Sequence, residues 1–317
     1  MKARRRWLAF VVTVVASMPL VLALPATVTQ AAGDPVIAAA GDITCQPPAK
    51  VRANACHQQA TADLLGQLPY DAVLPLGDGQ YDCGTLSGYQ QVYAPTWGKY
   101  LAKSHPVVGD QDYGGTTCSV PGASGYFTYF GAAASPDNPS CTSACKGYYS
   151  YDIGAWHVVA LNSECTQPGV GGCSSTSPML TWLGKDLAAH PAQCTLAYMH
   201  EPYWANGTVV KKYLPVIKAL YNAHVDVLLT GHKHIYARYA PQTPTSANDP
   251  AQGVREFIVG TGGHNHAALA SPLPNLQVSN NTTFGVLQLT LHSSSYDWRF
   301  VPEAGQSFTD SGTSACH

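Results

Sequence analysis

Short apolar runs recur along the chain, and most of them end in a polar turn that contains glycine. Each run predicts a buried strand that delivers a polar residue at its carboxyl end. The runs are Val36–Ala40, Ala72–Leu76, Pro106–Val108, Thr195–Met199, Val225–Thr230 and Phe257–Val259. The residues that follow them include Gly41-Asp42, Gly77-Asp78, Gly109-Asp110, His200 and Gly231-His232.

The segments between these runs predict helices and antiparallel pairs. Apolar residues at helical spacing predict a helix over Gln58–Leu68, and further candidates are Thr96–Ala102, Pro178–Ala189 and Val209–Ala223. Two antiparallel pairs are predicted, Tyr148–Ile153 with Trp156–Leu161 and Thr282–Leu291 with Tyr296–Val301. The alternation of strand and helix predicts an α/β protein with a layered sheet. No repeat or domain-scale linker interrupts it, so we expect one domain over residues 33–317.

The composition argues against some classes of protein. Charged residues make up 11% of the chain, well below the roughly 25% of an average globular protein. The formal charge of −2 excludes an ordinary basic nucleic-acid binder. The 23 prolines argue against a helical bundle.

Residues 1–32 have the pattern of a secretory signal peptide. Lys2 and the basic run 4–6 precede an apolar segment from Trp7 to Leu24, and small residues follow up to Ala31 and Ala32. A membrane anchor is the alternative for this segment. We expect cleavage near Ala31/Ala32 and a secreted product without membrane contact. Four of the 17 basic residues lie in the segment, so 13 basic and 19 acidic residues remain after cleavage, a charge near −6.

The chain has ten cysteines, all beyond residue 32. An even number in an exported chain predicts disulfides, whereas a cysteine-rich metal site is disfavoured because no Cys-x-x-Cys pair exists. Short loops favour Cys45–Cys56, Cys141–Cys145 and Cys165–Cys173. The pairing of the other four cysteines stays open.

The strand ends supply the residues that could carry chemistry. They provide three carboxylates, three imidazoles and, just beyond, a phenol: Asp42, Asp78, Asp110, His200, His232, His234 and Tyr81. Taken singly, most of these have a structural interpretation as a turn, a helix cap or a packed histidine. Taken together at one edge of a sheet, they suit zinc, manganese or iron, and seven ligands exceed the needs of one ion. Two neighbouring ions can clamp a phosphoryl group and activate water.

Five blocks of sequence occur in the order of a known family. They are Gly41-Asp42, Gly77-Asp78-Gly79-Gln80-Tyr81, Gly109-Asp110-Gln111-Asp112, Met199-His200-Glu201-Pro202 and Gly231-His232-Lys233-His234-Ile235-Tyr236-Ala237-Arg238, with Gly260-Thr261-Gly262-Gly263 as a later segment. In these blocks the chain resembles the calcineurin-like metallophosphoesterases, and within them the purple acid phosphatases. The resemblance implies an α-β-β-α sandwich with its metal site at the carboxyl ends of the strands.

The resemblance also implies a role for each residue of these blocks. Metal 1 would be held by Asp42, Tyr81 and His234, and Asp78 would bridge the two ions. Metal 2 would be held by His200 and His232, with Asp110 at the place of the family's asparagine. A tyrosine ligand favours iron(III), so the resemblance implies iron paired with iron, zinc or manganese, and two zinc ions stay open as an alternative.

The third block departs from the family pattern of Gly-Asn-His followed by an acidic residue. Gln111 stands where the family has a histidine that stabilises the phosphoryl group or protonates the leaving group, and Asp112 follows at the acidic position. Glutamine cannot act as a general acid near neutral pH, and loss of such a group costs about 10²–10⁴ in rate. We expect Gln111 and Asp112 to lie by the reacting group, and Tyr203, Trp204 and His264 to line the substrate.

These observations predict a secreted phosphoesterase with two metal ions. It would hydrolyse a small-molecule phosphate monoester or diester by means of a metal-bound hydroxide. The altered third block motivates an alternative, an enzyme of the same fold that acts on a non-phosphate substrate. A non-catalytic module stabilised by metal is a further alternative.

Overall fold

The computed structural model describes residues 33–116 and 118–317. The predicted signal peptide, residues 1–32, lies outside the described residues. The strands, numbered β1 to β14 in chain order, are Val36–Ala40, Ala72–Pro75, Tyr149–Ile153, Trp156–Ala160, Cys194–Tyr198, Trp204–Ala205, Thr208–Val209, Val227–Thr230, Tyr236–Tyr239, Arg255–Val259, Leu276–Asn280, Gly285–Leu291, Ser295–Pro302 and Ser311–Ala315. The α-helices, α1 to α5, are Gln58–Gln67, Leu86–Gly88, Ser124–Phe130, Pro178–Ala189 and Leu214–Asn222. Shorter or differently wound helical turns cover Tyr89–Tyr93, Trp97–Lys103, Gln111–Tyr113, Pro121–Ala123, Gly131–Ala133 and Lys211–Tyr213.

The strands form two main sheets. The five-stranded sheet has the order β14-β13-β12-β1-β2, and the seven-stranded sheet has the order β11-β9-β10-β8-β5-β4-β3. Strands β1 and β2 run parallel in the first sheet, and β4, β5, β8 and β10 run parallel in the second. The carboxyl ends of parallel strands therefore share an edge in each sheet.

The two sheets pack on each other and carry helices outside. One buried cluster combines residues of β1, β2, β12 and β13 with residues of β4, β5, β8 and β10. Helices α4 and α5 pack in a second cluster with the other face of the seven-stranded sheet, and α1 packs by β12 of the five-stranded sheet. This layering confirms the predicted α-β-β-α sandwich. Among the described residues, no helix is long and apolar enough to cross a bilayer.

Three predicted elements differ from the structure. Pro106–Val108 is not a strand, because proline has no N–H for a ladder and only Val107 bridges to Leu76. The segment predicted as helix over Thr96–Ala102 is a tighter helical turn over Trp97–Lys103. The last predicted helix begins at Leu214 rather than at Val209, because Val209 pairs with Trp204 in β6–β7 and a proline occupies the first helical turn.

Five disulfides use all ten cysteines. The three short-loop pairs are confirmed. The other two are Cys83–Cys118 and Cys194–Cys316, and the second ties the start of β5 to the last residues of the chain.

Candidate metal centre

Seven side chains meet where strand ends of the two sheets adjoin. We call them the rim cluster: Asp42, Asp78, Tyr81, Asp110, His200, His232 and His234. The backbone N–H of Asp42, beyond β1, donates to the carbonyl of Gly77, beyond β2, at 3.2 Å. The Nδ1 atom of His200, beyond β5, lies 2.8 Å from the carbonyl oxygen of Leu76. These contacts join the loops of the two sheets, so the structure brings all seven predicted ligands together.

Four residues of the rim cluster have a left-handed backbone. The φ angles are 58° at Asp42, 50° at Asp78, 66° at His232 and 42° at His234. Residues with a Cβ atom occupy this region rarely and at a free-energy cost, and such residues concentrate at functional sites. The loops are therefore shaped to aim these side chains inward.

A glycine lets the third loop approach the cluster. A Cβ atom at Gly109 would lie 2.2 Å from Oδ1 of Asp78, so no other residue fits there. The backbone N–H of Gln111 donates to the same Oδ1 atom at 2.8 Å. Asp78 is thereby fixed by the loop that carries Asp110.

The first group of ligands surrounds the Tyr81 hydroxyl. That oxygen lies 2.6 Å from Oδ1 of Asp42, 2.5 Å from Oδ2 of Asp78 and 2.9 Å from Nε2 of His234. Nε2 of His234 lies 3.0 Å from Oδ1 of Asp42. One hydroxyl has a single proton, which cannot be donated to both carboxylates at once. A cation at this point would be coordinated by all four side chains.

The second group surrounds Oδ1 of Asp110. Nε2 of His200 and Nδ1 of His232 each lie 3.1 Å from this oxygen. Because both nitrogens approach the same oxygen, they converge on one point, and the two imidazole planes cross at 81°. Oδ2 of Asp78 lies 3.3 Å from Nε2 of His200, and the same oxygen contacts Tyr81 in the first group. Asp78 is thus positioned between the two groups.

Hydrogen bonds at the outer nitrogens fix how the histidines face the cluster. A carbonyl oxygen only accepts, so Nδ1 of His200 must donate to Leu76, and its Nε2 atom faces the carboxylates of Asp78 and Asp110. Nδ1 of His234 lies 2.5 Å from Oδ1 of Asn265 in the same way. Metal-ligating histidines commonly direct their second nitrogen to such an acceptor. The residues therefore fit metal ions at both groups.

The electrostatics of the cluster also favour a bound cation. His200 and Asp42 are fully buried and Asp78 is nearly so. Burial opposes a charged imidazole, but Asp78 and Asp110 outweigh it and raise the pKa of His200 well above its ordinary value. Burial also raises the pKa of the Tyr81 phenol, and Asp42 and Asp78 add to that effect. A cation would relieve each of these costs at once.

The two residues predicted beside the reacting group occupy different positions. The Gln111 amide is partly exposed and its Nε2 atom donates to Oδ2 of Asp110 at 3.2 Å. Asp112 is fully buried and accepts from the Tyr89 hydroxyl at 2.6 Å and from the N–H of Gly109 at 2.9 Å. Burial raises the pKa of Asp112 to about 7. Asp112 thus holds the turn of the third loop rather than facing open space.

The three residues predicted to line the substrate lie at different places in the structure. The His264 ring stacks on the Tyr81 ring with centroids 3.6 Å apart, directly behind a predicted ligand. Tyr203 and Trp204 are buried, and their polar atoms donate to the carbonyl of Pro244 and the hydroxyl of Ser246. These two side chains pack in the interior and present no surface to a substrate.

A second cluster of similar composition lies at another place in the fold. We call it the strand–helix cluster: His157 of β4, Asp186 of α4, His190 just beyond α4, and Asp152 of β3. Nε2 of His157 lies 3.0 Å from Oδ2 of Asp186. The rings of His157 and His190 are parallel within 8° at a centroid distance of 4.7 Å. One ion cannot lie in the planes of two stacked rings, so this arrangement does not form a metal site without rotation of a side chain.

Comparisons with known proteins show relatives of part of the chain and solved structures of the same fold. No family model matches the chain. Purple acid phosphatase 21 of Arabidopsis thaliana is 31% identical over 125 residues, which are 37% of this chain and 27% of that protein. Purple acid phosphatase 22 of the same plant is 27% identical over 151 residues, which are 44% of this chain and 32% of that protein. The matched stretches are thus between a quarter and a third of the length of these curated relatives.

Solved structures share the fold at low identity. A purple acid phosphatase, PPD1, from yellow lupin seeds has a TM-score of 0.63 at 15% identity, over 89% of this chain and 53% of that one. GAP50, described as the anchor in the inner membrane complex of Plasmodium, also has a TM-score of 0.63, at 12% identity and over 90% of both chains. PhoD has a TM-score of 0.56 at 14% identity, over 89% of this chain and 69% of that one.

Proposed function

We propose that this chain, which has the fold of the calcineurin-like metallophosphoesterases and is related to the purple acid phosphatases, hydrolyses phosphate esters with two metal ions at the rim cluster. The observation that carries the proposal is the position of Asp78 between two converging groups of ligands. Its Oδ2 atom contacts Tyr81 in the first group and His200 in the second. A carboxylate between two groups of nitrogen and oxygen ligands is suited to a pair of neighbouring ions.

The contacts among the rim-cluster residues indicate which side chains would hold each ion. Asp42, Tyr81 and His234 would hold the first ion, which a phenolate ligand suits to iron(III). Asp110, His200 and His232 would hold the second, an iron, zinc or manganese ion. When bound, such ions supply an activated water molecule and neutralise charge on the phosphoryl oxygens.

The protein side chains position these groups and limit the reaction. Leu76 and Asn265 fix the rings of His200 and His234, so that each imidazole keeps one nitrogen toward the ions. The Gln111 amide lies beside Asp110, where it can donate a hydrogen bond but cannot deliver a proton to a leaving group. We therefore propose a preference for esters whose leaving groups need no protonation, including activated monoesters and diesters.

Export forms part of the proposal. Five disulfides within the described residues are typical of a protein that folds in an oxidising compartment. We propose a secreted protein whose signal peptide is cleaved near Ala31/Ala32. The N-terminal sequence of the protein recovered from the medium of a secreting host tests this, and retention of residues 1–32 would contradict it.

The function is tested by metal analysis combined with hydrolysis assays. We expect about two metal equivalents per chain and an absorption band of tyrosinate bound to iron(III). We expect turnover of p-nitrophenyl phosphate and bis(p-nitrophenyl) phosphate. Two retained ions without hydrolysis of either ester would instead support an enzyme that acts on a non-phosphate substrate.

The substitution Gln111→His separates these two functions further. Histidine can donate a proton at this position, so we expect a gain of about 10² in kcat/KM for alkyl phosphates, whose leaving groups need protonation. Little gain is expected for p-nitrophenyl phosphate, whose leaving group does not. Metal content serves as the control, and an unchanged alkyl phosphate rate with both ions retained would contradict the assigned role.

A further inference from the structure

A cavity of about 430 Å³ opens beside the rim cluster. The loop between Cys45 and Cys56 forms one wall, and Asp82, His264 and Asn265 form the other. We call this cavity the side pocket.

Two side chains that line the side pocket are in direct contact with candidate ligands. The His264 ring stacks on the ring of Tyr81 at 3.6 Å, and Oδ1 of Asn265 lies 2.5 Å from Nδ1 of His234. A molecule bound through a phosphoryl group at the first ion could extend past these residues into the side pocket. The pocket thus adjoins the rim cluster through His264 and Asn265, while none of the seven rim residues lines it.

Two cationic side chains line the side pocket, Lys50 and Arg52. Neither makes an ion pair with any residue in the described part of the chain. The chain beyond residue 32 contains only 13 lysines and arginines against 19 acidic residues. Most lysines and arginines of the described residues are likewise without an ion pair, so the distinguishing feature is that two of them line the same cavity.

The backbone that carries Arg52 is held in place. Its N–H donates to the carbonyl of Ala55 at 2.9 Å, and its carbonyl accepts from the N–H of Ala55 at 3.2 Å and from Nε2 of His57 at 2.7 Å. The Cys45–Cys56 disulfide closes the loop, and the N–H of Cys56 donates to the carbonyl of His264 at 2.9 Å. Because the backbone is already fixed, binding of an anion would cost only the rotamer entropy of the Arg52 side chain.

The remaining lining leaves the side pocket positive. Asp82 contributes one carboxylate, which lies 4.0 Å from Nε2 of His264. The other side chains of the lining, apart from His264, carry no charge. Two cations against one carboxylate favour an anionic ligand group over a cationic one.

We propose that the side pocket binds a second anionic group of the substrate, a phosphate or a carboxylate, through Lys50 and Arg52. The natural substrate would then be a phosphate ester that carries another anion on its alcohol part. This inference rests on the proposed function, since it assigns specificity to the same site. Arg52 suits both anions because its planar fork matches either of them in a bidentate contact.

The test compares three matched esters: phenyl phosphate, 4-carboxyphenyl phosphate and hydroquinone bisphosphate. Each is assayed with the metal-loaded wild type and with the double variant Lys50→Met/Arg52→Met. We expect kcat/KM to fall about tenfold for the two esters with a second anion and to change less than twofold for phenyl phosphate, since exposed ion pairs contribute modestly. Because each ester is compared with itself, differences in leaving-group chemistry cancel. Lys218→Met, an exposed lysine on α5 outside the pocket, serves as the matched control.

A binding measurement gives a readout without turnover. Calorimetry should show that 4-carboxyphenylphosphonate loses about tenfold in affinity in the double variant, whereas phenylphosphonate keeps its affinity. If the double variant loses kcat/KM for hydroquinone bisphosphate alone, the second anion is a phosphate. If it loses kcat/KM for 4-carboxyphenyl phosphate and affinity for 4-carboxyphenylphosphonate alone, the second anion is a carboxylate.

The outcomes separate this inference from the proposed function. Hydrolysis of all three esters with unchanged selectivity in the double variant would overturn the inference and leave the phosphoesterase intact. An equal loss on all three esters would also overturn it, because the two residues would then serve the fold or the ions. A metal-loaded wild type that hydrolyses none of these esters, nor p-nitrophenyl phosphate or bis(p-nitrophenyl) phosphate, would overturn both proposals.

Discussion

The rim cluster and the strand–helix cluster contain the same kinds of side chain but arrange them differently. In the rim cluster, the His200 and His232 planes cross at 81°, and both inner nitrogens point at one oxygen of Asp110. In the strand–helix cluster, the His157 and His190 planes are parallel, so their nitrogens lie in separate planes. Convergence, rather than composition, therefore distinguishes a metal site from a hydrogen-bonded group.

The two clusters also differ in how their hydrogen bonds are satisfied. His157 has a separate carboxylate at each nitrogen, Asp152 at 2.8 Å and Asp186 at 3.0 Å, and Ser150 donates to the other oxygen of Asp186. His190 directs Nδ1 to the backbone carbonyl of Asp186 at 2.9 Å. A doubly protonated His157 donates to both carboxylates without an ion, whereas the single proton of the Tyr81 hydroxyl cannot be donated to both Asp42 and Asp78.

The backbone shows the same contrast. The residues of the strand–helix cluster lie on strands and at the end of a helix, where ordinary φ angles suffice. The rim cluster places four of its seven side chains at left-handed positions. Such strain persists only where the surrounding structure or the function maintains it.

The largest expected effect comes from removing the charge between the two groups of the rim cluster. Asp78→Asn should lower phosphoesterase activity by about 10³-fold or more, because loss of a shared ligand removes several kcal/mol of stabilisation of the transferred group. Metal content should fall below two equivalents in the same preparation. Metal analysis and initial rates measure both effects.

Asp186→Asn is the matched control in the strand–helix cluster. It makes the same chemical change beside a histidine, and we expect activity within about twofold of the wild type with both ions retained. Equal losses in the two variants would show that the distinction between the clusters is wrong.

A smaller effect is expected from the residue that orients His234. Asn265→Ala removes the acceptor at Nδ1, and loss of such a contact usually weakens metal affinity about 10–100-fold. Competition with a chelator of known affinity measures the change. The equivalent contact in the strand–helix cluster is Asp152 on His157, and Asp152→Ala should leave metal affinity unchanged. A wild-type affinity in Asn265→Ala would mean that packing alone holds the His234 ring.

The proximity of the seven rim-cluster residues could be predicted from sequence because most of them follow a short apolar run and a turn. That pattern is local, and parallel strands place their carboxyl ends at one edge whatever the loops do. The fold class followed from the same alternation of strand and helix. The three short disulfides were predictable for a related reason, since a short loop keeps two cysteines close in any fold.

Contacts made by backbone or by distant residues could not be predicted in this way. The carbonyl of Leu76 orients His200, but a carbonyl is present at every residue and leaves no pattern in the sequence. Cys194–Cys316 joins residues 122 positions apart, and only the folded chain brings them together. Asn265 lies between two histidines that are more conspicuous candidates, although its position after the glycine-rich segment is a signal that could have identified it.

The predicted lining by Tyr203 and Trp204 shows the limit of proximity in sequence. Both follow His200 closely, yet the buried carboxylate of Glu256 accepts their backbone N–H groups at 3.1 Å and 2.9 Å and draws the segment inward. Burial raises the pKa of this carboxyl to about 7. An aromatic pair that follows a candidate ligand in the sequence can lie in the core or line a pocket. The carboxylate of Glu256, which holds this pair in the core, is 52 or more positions away in the sequence.

The smallest expected effect concerns stability and bears on the strand–helix cluster alone. Asp152→Asn removes one charge at His157, and the Asp152 side chain is 66% exposed, so solvent screens most of the interaction. We expect the free energy of unfolding to fall by less than about 1 kcal/mol, measured by denaturant titration with metal content unchanged.

Adding zinc beyond two equivalents should not stabilise either the wild type or His190→Ala. If excess zinc raised the melting temperature of the wild type and failed to do so in His190→Ala, the stacked rings would have to separate around an ion, and parallel ring planes would no longer distinguish the two clusters.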